Sequence, residues 1–116
     1  MVGVEALWSV AFQSSDGWIG AGVVVLETER VLGGDGSFTY IGKYSIASGV
    51  VRARVDVKRY NDMATTSVFP GLSEFTLNVE GKFDRDAPNR MICSGSIVDQ
   101  PNRQIVIEFT RRAELP

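Results

Sequence analysis

The sequence predicts an all-β protein, folded as a small up-and-down antiparallel β-barrel of seven to eight strands. A two-sheet sandwich is the alternative. Three observations carry the expectation. Apolar and polar residues alternate with period two along most of the chain. Turn-forming residues recur at short intervals, and no stretch shows a long amphipathic helical repeat. Short connections favour strands that pair in chain order, and closure removes the edges that invite aggregation.

Residues 5–14 open the pattern, with Trp8, Val10 and Phe12 on one face and Leu7, Ser9 and Ala11 on the other. Ser14-Ser15-Asp16-Gly17 has the small polar residues of a hairpin turn. Residues 18–27 form an apolar strand interrupted by Gly20 and Gly22, which mark a bend or a close backbone approach. After a turn at residues 27–30, a short strand covers residues 30–32. Gly33-Gly34-Asp35-Gly36 then reads as a turn with positive φ at one or more glycines, Asp35 bonding local amides. It sets up a strand over residues 38–44, followed by a connection at residues 45–49.

Residues 50–60 give the clearest strand. Val51, Ala53, Val55 and Val57 alternate with Arg52, Arg54, Asp56 and Lys58, one face packed and one wet. Residues 61–72 break the period and read as a longer loop, with one helical turn around residues 62–67; its length suits a lid or an interaction loop. Phe75, Leu77 and Val79 mark the next strand, residues 74–81, before a charged connection at residues 82–89. Residues 90–98 and 104–112 make the last hairpin through Asp99-Gln100-Pro101-Asn102, with Ile105, Ile107 and Phe109 inward.

The 116 residues suit one domain, residues 1–116, with a single modest core. Net charge is −2, which supplies no general attraction to nucleic acid or an anionic membrane. No apolar run is long enough for a spanning helix, and the N-terminus lacks a basic region before an apolar core. The one cysteine, Cys93, excludes an internal disulfide, so a cytoplasmic location is expected.

The chain contains no histidine, which removes the commonest general base and metal ligand. Cys93, mid-strand with no activating partner, reads as a buried apolar group. The Gly33–Gly36 run precedes a strand and lacks the lysine and hydroxyl of a phosphate loop. Nothing in the spacing of Asp16, Asp35, Asp56 and Asp62 selects an acid–base pair, and no metal-ligand pattern occurs. No enzyme activity and no cofactor are expected. Arg52, Arg54 and Lys58 form an exposed basic stripe interrupted by Asp56, a candidate surface for a protein partner rather than a nucleic-acid platform. Trp8, Phe12, Trp18, Phe38, Tyr40, Phe75 and Phe109 are the candidates to line or fill the interior. A packed interior is expected, with a lipid-like ligand inside the barrel as the alternative. Apolar residues at Val68-Phe69 offer a candidate isologous contact for a homodimer.

An ordered set of short motifs resembles the GrlR family of negative regulators of type III secretion. The set comprises Trp8-Ser9 leading to Phe12, Gly20-Ala21-Gly22, Gly33-Gly34-Asp35, Tyr40-Ile41-Gly42 and Arg59-Tyr60-Asn61, spanning the first half of the chain. The resemblance implies a lipocalin-like barrel, a dimer, and action by capture of a protein, with indirect effects on transcription. The family associates that role with an acidic run after the Tyr-x-Gly motif. Here Ser45-Ile46-Ala47-Ser48-Gly49 carries no acidic residue.

Overall fold

The computed structural model describes residues 3–61 and 67–116. Among them are eight strands and no helix: β1 (Ala6–Ser14), β2 (Ile19–Glu27), β3 (Arg30–Gly34), β4 (Phe38–Ala47), β5 (Val50–Arg59), β6 (Glu74–Lys82), β7 (Arg90–Ile97) and β8 (Gln100–Ala113). Each strand pairs antiparallel with the next in the chain, and β8 returns to β1, so the sheet is a closed up-and-down barrel. The helical turn expected around residues 62–67 lies outside the described residues apart from Ser67.

Alternation places the walls. Val51 and Val57 are buried while Arg52, Arg54, Asp56 and Lys58 are exposed, and the same parity puts Phe75, Leu77 and Val79 inside on β6. β1 lies between its neighbours in register, Val10 facing both Gly22 and Phe109.

Three local expectations are corrected. Gly33 and Gly34 belong to β3 rather than to the turn, and positive φ among the glycines occurs at Gly17, Gly49 and Gly71. A Cβ at Gly33 would collide with the Val23 carbonyl, and one at Gly34 would lie 2.6 Å from the Phe38 carbonyl. The glycines therefore permit close strand approach as the sheet coils, instead of a left-handed turn. Second, residues 45–47 are strand: Ser45, Ile46 and Ala47 pair with Arg52, Val51 and Val50. Ser48 and Gly49, both at positive φ, suffice as the turn. Third, β8 begins at Gln100. The pairs Ile97↔Gln100 and Ser96↔Gln104 leave Pro101, Asn102 and Arg103 as a bulge, a place that tolerates a residue without an N–H.

The end of the barrel holding the chain termini is plugged. Trp8 is fully buried, donates its indole N–H to the Val4 carbonyl at 2.9 Å, and meets Phe109 edge-on at 6.1 Å. The Arg111 guanidinium stands 4.7 Å over the Trp8 ring and donates to the Gly3 and Pro88 carbonyls. One side chain thus ties the N-terminal segment, the β6–β7 connection and the indole together. Arg111→Ala is expected to destabilise the fold by roughly 2 kcal/mol, with Arg111→Lys recovering less than half, because a lysine lacks the planar fork. Denaturant midpoints of the three proteins check this.

The β2–β3 turn is strained by comparison. Thr28 and Glu29 have φ of 50° and 63°, the primed-turn geometry that asparagine and glycine adopt without penalty. Replacing them with Asn-Gly is expected to raise stability by about 0.5–1 kcal/mol, read as a higher unfolding midpoint; a lower midpoint contradicts the assignment.

Candidate functional site: the barrel interior and its mouth

The interior is not packed solid. A cavity of about 730 Å³ occupies the barrel, lined by Val10 and Phe12 on β1, Val24 and Leu26 on β2, Tyr40 and Tyr44 on β4, and inward residues of β5 to β8. The expectation of a filled interior is corrected here. The small residues do not themselves supply the space: a Cβ on Gly20 would lie 2.6 Å from the Phe12 ring, and one on Gly22 2.7 Å from the Tyr40 hydroxyl. These glycines seat aromatic rings against the β2 wall. The rings themselves meet edge-on at 6.4 Å. With the rings drawn to the wall, the middle is left to the short side chains Val51, Ala53, Val55 and Val57.

Of the aromatic candidates, Phe12, Phe38, Tyr40, Phe75 and Phe109 line the cavity. Trp8 does not, since it forms the plug below. Trp18 stands at the rim, 48% exposed, where the β1–β2 turn borders the opening.

The mouth lies between the β1–β2 turn, the β3–β4 turn and residues Ser67 and Val68. The segment carrying those two residues covers part of that end. Phe69 is fully buried and packs edge-on against Phe75 at 5.3 Å. The Ser14 hydroxyl donates to the Val68 carbonyl. Arg103, held out by the β8 bulge, donates to Asp16 at 2.6 Å and to the Pro70 carbonyl at 3.1 Å, and faces the Phe69 ring. The reading of Val68-Phe69 as an exposed dimer contact is therefore overturned, because Phe69 is spent on closing the barrel. The length of the loop over residues 61–72 suited a lid, and its described end, residues 67–70, covers part of the opening; Arg103 had no legible role before the bulge placed it.

The opposite side of the mouth gathers the motif residues. Asp35 Oδ1 accepts from the Ser37 and Phe38 amides, each at 2.8 Å, and Oδ2 accepts from the Tyr40 hydroxyl. The Tyr60 hydroxyl donates to the Asp35 carbonyl at 2.7 Å, and the Asn61 amide to the Gly36 carbonyl at 2.8 Å. Arg59 stacks over Phe38 at 4.7 Å. Asp35 and Tyr40, joined by Arg59, Tyr60 and Asn61 from the far end of β5, thus hold one turn at the rim. Gly42 sits lower on β4, where a Cβ would strike the Arg54 carbonyl. Burial, followed by the bond to Asp35, pushes the Tyr40 phenol well above its ordinary range, so it remains a donor.

Arg52, Arg54 and Lys58 lie on the outer wall of β5, away from the cavity. Arg52 forms an exposed ion pair with Glu80 at 2.8 Å, and Asp56 accepts from Thr76. Surface pairs of this kind add little stability. Among the described residues, no group of three metal-ligating side chains is gathered, and no helix is long and apolar enough to cross a membrane.

No family model matches the chain, and no curated protein matches it. Among solved structures it is similar to a redesigned beta barrel, mFAP1, bound to DFHBI, with a TM-score of 0.65 and 15% identity over 93% of this chain and 94% of that one. A second redesigned beta barrel aligns at TM-score 0.45 and 13% identity, over 94% of this chain and 91% of that one. The first likeness agrees with the closed eight-stranded barrel.

Cys93 faces the cavity, and burial pushes its thiol up to about 12 from an ordinary value of 9.0. In the unfolded chain the thiol ionises near its ordinary value, while the folded protein keeps the proton. The unfolded state then binds fewer protons from pH 9 upward, and stability falls as pH rises. The slope from this group reaches up to about 1.4 kcal/mol per pH unit. Cys93→Ala is expected to make the fall in stability shallower between pH 9 and 10, leaving the smaller contribution of Tyr40, whose ordinary value is 10.0. An unchanged slope contradicts the burial argument.

Proposed function

We propose that this chain is a non-enzymatic binding protein that holds a small apolar molecule inside its barrel. The observation that carries the reading is the 730 Å³ apolar cavity with a mouth at one end and a plug at the other. That volume falls within the range of roughly 300–1,000 Å³ typical of small-molecule sites. The barrel mFAP1, bound to DFHBI, supports the reading by analogy of architecture. The missing histidine and the protonated Cys93 leave the interior without an evident nucleophile–base pair.

The neutral fluorophore N-phenyl-1-naphthylamine tests this directly. Saturable one-to-one binding with enhanced emission is expected from the native chain. Ala53 lies on the cavity wall between Tyr44 and Val79. Ala53→Phe is expected to weaken probe binding about tenfold or more while leaving the protein folded, because the ring enters open space instead of a packed core. A native chain that shows no saturable binding removes the proposal.

A second reading is favoured by the outer wall. Val25, Leu32 and Ile41 stand in one cross-strand row on β2, β3 and β4, with the exposed Val23 beside them. Such a face suits a protein contact. It supports the regulator-like role and the dimer that the GrlR resemblance implies, with the partner at the wall and not at the mouth. Sedimentation of the native chain should then show self-association that Leu32→Arg abolishes; a monomer at all concentrations contradicts the dimer.

A further inference from the structure

The polar atoms at the mouth say what kind of head group the cavity accepts, an inference that rests on the cavity being a ligand site. Below the rim the lining is mostly apolar, with Tyr44 and the Cys93 thiol as its exceptions. At the rim the β3–β4 turn contributes Asp35, Gly36 and Ser37. The Asp35 carboxylate receives three donors, from the Ser37 and Phe38 amides and the Tyr40 hydroxyl. A carboxylate has about four acceptor positions, so one is left over. The Tyr40 oxygen, having donated, also keeps acceptor capacity. The neighbouring Ser37 hydroxyl is buried with no hydrogen-bond partner among the described residues. Unfilled capacity at this turn is thus weighted toward acceptors.

Charge is equally one-sided. Among the described residues, Asp35 is the charged member of the lining, and neither lysine nor arginine occurs in it. Arg59 is occupied over the Phe38 ring and is not part of the lining. An incoming carboxylate would meet a like charge at the rim, with no lysine or arginine among the described lining residues to receive it.

We propose that the cavity takes a neutral or cationic amphiphile, an apolar body bearing a hydroxyl or amine donor, and discriminates against carboxylates such as fatty acids. The body lies along the inward residues of β5 and β6. The head donates to Asp35 at the mouth.

Displacement of N-phenyl-1-naphthylamine by 1-decanol, decylamine and decanoate at neutral pH tests the ranking with one chain length and three heads. Decanol and decylamine are expected to compete at concentrations about tenfold or more below decanoate, the effect of like charges near a protein surface. Asp35→Asn keeps an amide oxygen for the Ser37 and Phe38 amides and removes the charge. It should narrow the gap to roughly threefold or less, as only exposed, screened contributions remain. Decanoate competing equally on the native chain, or an unchanged gap in folded D35N, overturns the discrimination while probe binding stands. If D35N does not fold, the native-chain ranking decides. Absence of probe binding removes the cavity reading and this inference together.

Discussion

The pairing of β1 with β8, running from Leu7↔Ala113 to Ser14↔Ile105, converts a meander into a barrel, and the other features depend on it. Without that seam each terminal strand would present an unpaired edge, and the inward faces would have no common interior. The seam is irregular between Leu7 and Trp8, just where the indole turns inward. Arg111, on β8, stands over that indole and reaches the N-terminal segment and the β6–β7 connection. Closure and plugging of one end are therefore a single construction. At the opposite end, among the described residues, no comparable plug forms, and turns and the segment around Phe69 border the opening.

Closure also explains why the interior stays partly empty. A sheet that coils tightly needs positions without Cβ atoms, and Gly33 and Gly42 sit where neighbouring backbone comes too close for one. Gly20 and Gly22 relieve the wall differently, by accepting the Phe12 ring and the Tyr40 hydroxyl. The Phe12 and Tyr40 rings are thus held against the β2 wall. The facing β5 strand offers valines and Ala53, too short to reach across. The space that results is mostly apolar, and the one charged group among its described lining residues, Asp35, stands in a turn at the rim.

The strand pattern was legible because each wall has one dry and one wet face. Val51 to Lys58 illustrates this: every residue falls on the side that its polarity assigns. Chain-order pairing followed from short connections, and Asp35 as an acceptor for local amides followed from ordinary turn chemistry. What escaped reading depended on contacts distant in sequence. Gly33 and Gly34 look like turn residues locally, and only the backbone of β2 and the approach of β4 explain their absence of side chains. Phe69 looks exposed in a polar loop, and only Phe75 and Arg103 explain its burial. Cavity volume is a difference between enclosed space and side-chain bulk, which period-two alternation does not encode. The convergence of Asp35, Tyr40, Tyr60 and Asn61 on one turn likewise required the register of β4 against β5.

Alternation makes walls, glycines let them curve, the β1–β8 seam closes them, and the placement of rings leaves a mostly apolar space inside the barrel. Crystallography under xenon pressure tests that central claim most directly, because xenon enters dry apolar cavities without demanding a particular chemistry. The account predicts xenon inside the barrel, among the inward residues of β4 to β8 and above Trp8. A barrel whose inward side chains meet across the centre, with no xenon between them, would contradict it.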